Sequence, residues 1–182
     1  FHSLDGSHLH FHCISRHNFR FQNLQKNKMT LKILNSREKQ AVERNLNEQF
    51  GVDSIPGILV KSGEERLFLF TGSFDEKNIK NLEASVPIER VGIYFAKIIR
   101  EDIKLSIEGS QILGSQIKKN IFSLTKEQAE EWMLGRDLQV KTGKRGFLVM
   151  EFNGVFLGCG KASEDKIGNF IPKSRRLKEK NQ

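Results

Sequence analysis

The densest group of ligand-type side chains lies at the start of the sequence, where His8, His10, His12, Cys13 and His17 fall within ten residues. All are types that bind zinc, but a tetrahedral site needs a second spaced pair and a fold to hold it. No such pair follows: the other cysteine, Cys159, is far away, and no histidine occurs after His17. No metal is expected, and both cysteines read as free thiols. Nucleophilic catalysis needs a base beside the nucleophile, and the histidines that would supply one are confined to the opening segment. Cys159, between Gly158 and Gly160 and followed by Lys161, could become a thiolate through the lysine. A small buried thiol at a strand end is the plainer reading. Gly109 and Gly114 have the spacing of a phosphate-binding loop, but Ser115 and Gln116 stand where that loop needs Lys and Ser or Thr. Gly158 and Gly160 could open a dinucleotide fingerprint, but Ser163 occupies the third glycine position. The acidic pairs Glu64 with Glu65 and Glu130 with Glu131 read as solvated turns and helix faces. No cofactor and no enzymatic activity are expected.

What remains is charge. Thirty Lys and Arg against 22 Asp and Glu give a formal charge of +8 and a pI of about 9.6, a bias toward polyanionic partners. Residues 29–90 carry 9 basic and 10 acidic side chains, and residues 91–182 carry 17 and 11. Any one lysine could simply be a solvated surface residue. As a group, Lys118, Lys119, Lys144, Arg145, Lys161, Lys173, Arg175 and Arg176 read as phosphate contacts. No apolar run approaches the roughly 18 residues of a membrane span, and no secretory signal pattern opens the chain. A cytoplasmic protein is expected.

The elements that must position these residues follow from periodicity. Residues 1–28, rich in His and Phe and without an initiator Met, read as a leader, tag or disordered segment ahead of Met29. Ser36 is placed as the N-cap of a helix through Val42, Leu46 and Phe50, stopped by Gly51. Ile58–Val60 and Leu67–Phe70 read as two strands joined by a turn. Asp75 caps a second helix carrying Ile79 and Leu82, and this small α+β unit ends near Pro87. Val91–Ile99 reads as a strand, and Ile103, Leu105 and Ile107 alternate as another. Thr125 and Gln128 have capping-box spacing ahead of a helix with Trp132 in the core, ended by Gly135. Asn153-Gly154 between Gly146–Phe152 and Val155–Leu157 predicts a type I′ hairpin. Short strands with an inserted helix suggest a small mixed barrel.

Residues 103–115, the Trp132–Asp137 stretch, Gly158-Cys159-Gly160-Lys161 and the closing segment from Ile167 to Leu177 together resemble a known module. It is the PUA-like domain of the Sun/Fmu group of RNA cytosine-5 methyltransferases and of free-standing ribosome-biogenesis proteins. Gly168 and Ser115 depart from its pattern, where a basic residue and a proline are common. The resemblance implies an α+β chain in which a small pre-PUA domain, 29–87, precedes a PUA-type mixed barrel, 88–177, with a basic tail at 178–182. It also implies binding of rRNA or tRNA in RNA maturation or ribosome biogenesis, beside pre-ribosomal proteins or an RNA-modifying enzyme, without DNA or membrane partners. Small residues let backbone approach RNA, which makes Gly109, Ser110, Gly158 and Gly160 candidate contacts beside the cations named above. The alternative is an accessory subunit or degenerate relative of the methyltransferase.

Overall fold

Asn35, rather than Ser36, starts the first helix. In the computed structural model, which describes residues 31–73, 75–85 and 91–178, the Asn35 side chain accepts from the Glu38 backbone N–H at 3.0 Å. The Glu38 carboxylate accepts from Asn35 N–H at the same distance. This reciprocal box satisfies two donors that a helix start leaves open. Helix α1, Ser36–Phe50, buries Val42, Leu46 and Phe50 at four-residue spacing and stops at Gly51, whose φ of 76° suits a residue without a Cβ.

α1 lies against a five-stranded antiparallel sheet. Its strands are β1, Leu31–Ile33; β2, Ile58–Ser62; β3, Arg66–Phe70; β4, Ile93–Ile99; and β5, Asp102–Leu105, neighbours in that order. Helix α2, Glu76–Ser85, links β3 to β4, with Asp75 accepting from Asn78 N–H at 2.8 Å as the expected cap. Ile79 on α2 is buried. The leader, Pro87 and the end of the basic tail lie outside the described residues, as does the side chain of Leu82.

The division expected at 87/88 falls inside this sheet, between β3 and β4. Alternation identifies 93–105 as strands but carries no information about which neighbour they hydrogen-bond, and they bond to β3. The strand expected through Ile107 ends at Leu105. Ser106 redirects the chain: its hydroxyl donates to the Tyr94 carbonyl at 2.6 Å and accepts from Gly109 N–H at 2.8 Å. That cap opens helix α3, Ile107–Leu113.

A second sheet follows, in the order β6, Ile121–Ser123; β7, Gly146–Phe152; β8, Val155–Ala162; and β9, Ile167–Gly168. β6 runs parallel to β7 and the other pairs are antiparallel. Between β6 and β7, helix α4, Lys126–Met133, has the Thr125/Gln128 capping box expected of it. Trp132 is fully buried, donating its indole N–H to Leu157 O at 3.0 Å. Asn153 and Gly154 have φ of 49° and 79°, the left-handed pair of the expected hairpin. The mixed α+β character is as expected, while the described strands make two hydrogen-bonded sheets. Their main core is shared: Leu46 and Phe50 of α1, Leu67 and Phe95 of the first sheet, and Phe147, Val149 and Cys159 of the second belong to one buried cluster.

Candidate nucleic-acid interface

The face of the first sheet turned away from α1 carries an arrangement that folding alone does not favour. Arg66 in β3 pairs with Lys97 in β4, and Lys97 pairs with Lys104 in β5. Directly opposed residues share a face, and like charges so placed destabilise a sheet. Lys97 is partly compensated by Glu65, 2.7 Å from its ammonium, and this contact holds the Glu65 carboxyl below its usual range. Among the described residues, no carboxylate pairs with Lys104 in this way. Burial lowers its ammonium pKa, and the charge on Lys97 lowers it further.

Aromatic rings stand between and beside these cations. Lys104 Nζ lies 4.4 Å from the centre of the Phe170 ring, Phe170 is 6.1 Å from Phe147, and Lys161 Nζ is 5.7 Å from Phe147. Phe170 is 42% exposed although large and apolar. Phe68 and Tyr94, next along the sheet, are 5.6 Å apart with tilted rings. Burial raises the Tyr94 phenol above its ordinary range. Arg66, Phe68, Tyr94, Lys104, Phe170 and Arg175 line a cavity of about 430 Å³ between the outer sheet face and the segment after β9. Among the described residues, Glu108 is the one acidic side chain in its lining, and it pairs with Arg175. A cationic groove interrupted by aromatic faces fits a nucleic-acid strand, whose phosphates and bases alternate in the same way.

Of the side chains expected from sequence, Arg175 lines this cavity, Lys161 stands over the Phe147 ring outside the lining, and the exposed Lys173 begins the short 3-10 turn that ends at Arg175. Lys118 and Lys119 go elsewhere. Their backbone N–H groups bond Phe50 O, Lys118 Nζ is 3.6 Å from Asp53, and Lys119 Nζ donates to Asn47 O at 3.3 Å, so both serve the end of α1. Lys144 and Arg145 are exposed in the turn before β7 and are not in the cavity lining. Arg176 is a clamp: its Nε donates to Ile171 O at 3.0 Å, and its guanidinium covers Gly135.

The four small residues expected at an RNA contact occupy packing positions, and Gly158 also lines the cavity. Gly109, Ser110, Gly158 and Gly160 are all buried. A Cβ on Gly109 would stand 2.1 Å from Phe95 O, and one on Gly160 would stand 2.4 Å from Ile167 and 2.8 Å from Trp132. Ser110 Oγ donates to Ile107 O and accepts from Gly158 N–H, tying α3 to β8. Small size here lets a helix and a strand approach each other. Cys159 lies mid-strand in β8, fully buried, and burial pushes its thiol up to about 12. Among the described residues, no group of three His, Cys, Asp or Glu side chains could hold a metal, and no helix is long and apolar enough to cross a membrane.

Sequence reasoning missed Arg66, Lys97, Lys104 and Tyr94 as site residues. Their signal was present as polar or amphipathic positions within otherwise apolar strands. Only the register, however, brings the three cations into line.

The comparisons with known proteins bear on the region around this groove. Residues 119–177 match the family described as the Methyltransferase RsmF PUA domain. The chain is also similar to proteins named Ribosomal RNA small subunit methyltransferase F. It is 24% identical to that of Aliivibrio salmonicida over 148 residues, covering 80% of this chain and 30% of the relative. It is 28% identical to that of Psychromonas ingrahamii over 142 residues, 75% and 28% of the two chains. With that of Vibrio campbellii it shares 31% identity over 91 residues, 46% and 19% of the two chains. The chain thus spans less than a third of the length of these relatives, and alignments of 148 and 142 residues reach well beyond 119–177 into the first sheet. The segment from β6 to the closing turn is therefore a PUA-like domain of the kind carried by the Sun/Fmu group of RNA methyltransferases.

Proposed function

We propose that this chain binds RNA during maturation of small-subunit ribosomal RNA, in the cytoplasm, and performs no methyl transfer itself. The observation that carries the reading is the line Arg66, Lys97 and Lys104, which is held at an electrostatic cost to the fold and which a polyanion would relieve. The PUA match supports RNA as that polyanion, and the names of the relatives favour rRNA over tRNA. The buried, protonated thiol of Cys159 argues against a nucleophilic role.

The test is filter binding of small-subunit rRNA fragments and of tRNA across a salt series. Affinity should fall with salt at a slope of about −0.7 per phosphate contact on single strands. Converting Arg66, Lys97 and Lys104 together to Gln should lower that slope by about 2. Retention that ignores salt, or a triple variant that binds like the parent, would overturn the reading. Tighter binding of tRNA than of rRNA would redirect it to tRNA maturation.

The names of the matched relatives, all rRNA methyltransferases, favour a second reading, that of an RNA-holding portion serving a methyltransferase unit. Stimulation of a methyltransferase added in trans, lost in the triple Gln variant, is the sign of that arrangement.

A further inference from the structure

Resting on the RNA-binding reading, we infer that the cavity between the outer face of the first sheet and the segment after β9 receives one unpaired nucleotide, its base stacked on Phe170 and its flanking phosphates on Arg66, Lys97 and Lys104. This makes the protein selective for single-stranded RNA over duplex, and it recruits residues outside the matched PUA segment.

Three features converge on this ligand. The first is size: a cavity of about 430 Å³ falls within the roughly 300–1,000 Å³ of sites that enclose small organic ligands. It can enclose one nucleotide, whereas a duplex keeps its bases inside the stack. The second is the state of Phe170. This ring is exposed, whereas Phe68 and Phe147 are buried and Tyr94 is half-buried. Lys104 covers part of it and leaves an aromatic surface in a cationic setting, the combination that holds bases in single-strand grooves. The third is the distribution of charge. The cations run across the sheet, with Lys104 and Arg66 in the cavity lining and Lys97 between them in register, so a strand with one base inserted would keep its backbone over positive charge. Donors and acceptors for a base edge are at hand in the Tyr94 phenol and the Glu108 carboxylate. Glu108 is held in place by Arg175 and can accept from the exocyclic amino group of cytosine, adenine or guanine.

The experiment uses the full chain with a short RNA carrying a single 2-aminopurine, compared with the same RNA annealed to its complement. The free strand should bind more tightly than the blunt duplex, and the fluorescence of the 2-aminopurine should be quenched on binding. Phe170→Leu keeps the apolar volume and removes the aromatic face, and Phe170→Trp keeps the face. Base–aromatic stacking corresponds to roughly 5- to 150-fold in affinity, so Phe170→Leu should reduce the ratio of single-strand to duplex affinity about tenfold and abolish the quench. Phe170→Trp should retain both. Equal affinity for strand and duplex, or a Phe170→Leu variant with ratio and quench intact, overturns the inference while salt-dependent RNA binding persists. Loss of all RNA binding by the unmodified protein overturns the functional reading along with it.

Discussion

Lys97 and Lys104 face each other across the β4–β5 pair, and among the described residues only Lys97 has a carboxylate beside it. The juxtaposition works against the fold, since opposed like charges cost a sheet something in the range of 0.2–1 kcal/mol. The same pair, extended by Arg66, is what gives the outer sheet face its capacity for an anionic strand.

Replacing Lys104 with Gln separates these two roles. The free protein should keep its stability or gain up to about 1 kcal/mol in urea titration, because the repulsion is relieved. RNA affinity should fall, with a salt slope shallower by about 0.7. A variant that is both less stable and unchanged in binding contradicts the assignment.

The arginines at the end of the chain should behave differently from each other. Arg175→Ala frees Glu108 inside the cavity, adding net negative charge where RNA would lie, and should weaken RNA binding severalfold with little change in melting temperature. Arg176→Ala removes the donor to Ile171 O and uncovers Gly135, and should lower stability by about 1–3 kcal/mol. Thermal melts beside RNA titrations distinguish the two.

Gly109→Ala should be among the more damaging small substitutions. Its Cβ would press on the Phe95 carbonyl, which is backbone within a central strand and cannot swing aside. Overpacking of this kind costs about 1–3 kcal/mol or more. Gly63→Ala is a useful contrast, because its Cβ meets nothing within 4 Å and only its positive φ opposes the change.

Cys159 sets a limit at high pH. Its thiol is raised from 9.0 to about 12 by burial, whereas in the unfolded chain it ionises near its ordinary value. Below pH 9 the thiol is protonated in both states and favours neither. Between about 9 and 12 only the unfolded chain loses the proton, so stability should fall by up to about 1.4 kcal/mol per pH unit from this residue. Cys159→Ala should flatten that part of the stability profile. In a Cys13→Ser background, the native protein should resist thiol reagents at neutral pH and react once unfolded.

The local elements were largely legible in the sequence because their signals are local. The Thr125/Gln128 box, the Gly51 stop and the Asn153-Gly154 turn each depend on a few adjacent residues, and each appears in the structure. Apart from the first helix cap, which was a local misreading, the errors arose where an outcome depended on distant partners. Asn35 outcompeted Ser36 because Glu38, not a residue further on, completes its box. Ile107 continued a strand pattern by type, but the Ser106 hydroxyl found the Tyr94 carbonyl and turned the chain. The candidate site was legible in its charge and not in its location. Lys161 and Arg175 were among the cations read from the sequence, while Arg66, Lys97 and Lys104 became one line only through a register that no local pattern specifies. The glycines were read for smallness, and smallness served a helix against a strand.

The buried cluster that joins Phe50, Phe95, Phe147 and Cys159 has a practical corollary for dissecting the protein. Excising 119–177 as an independent fragment would strip the apolar cover from β7 and β8, leaving a sticky, poorly cooperative species. The intact chain should melt in a single transition, because neither half can be unzipped without opening the interior of the other.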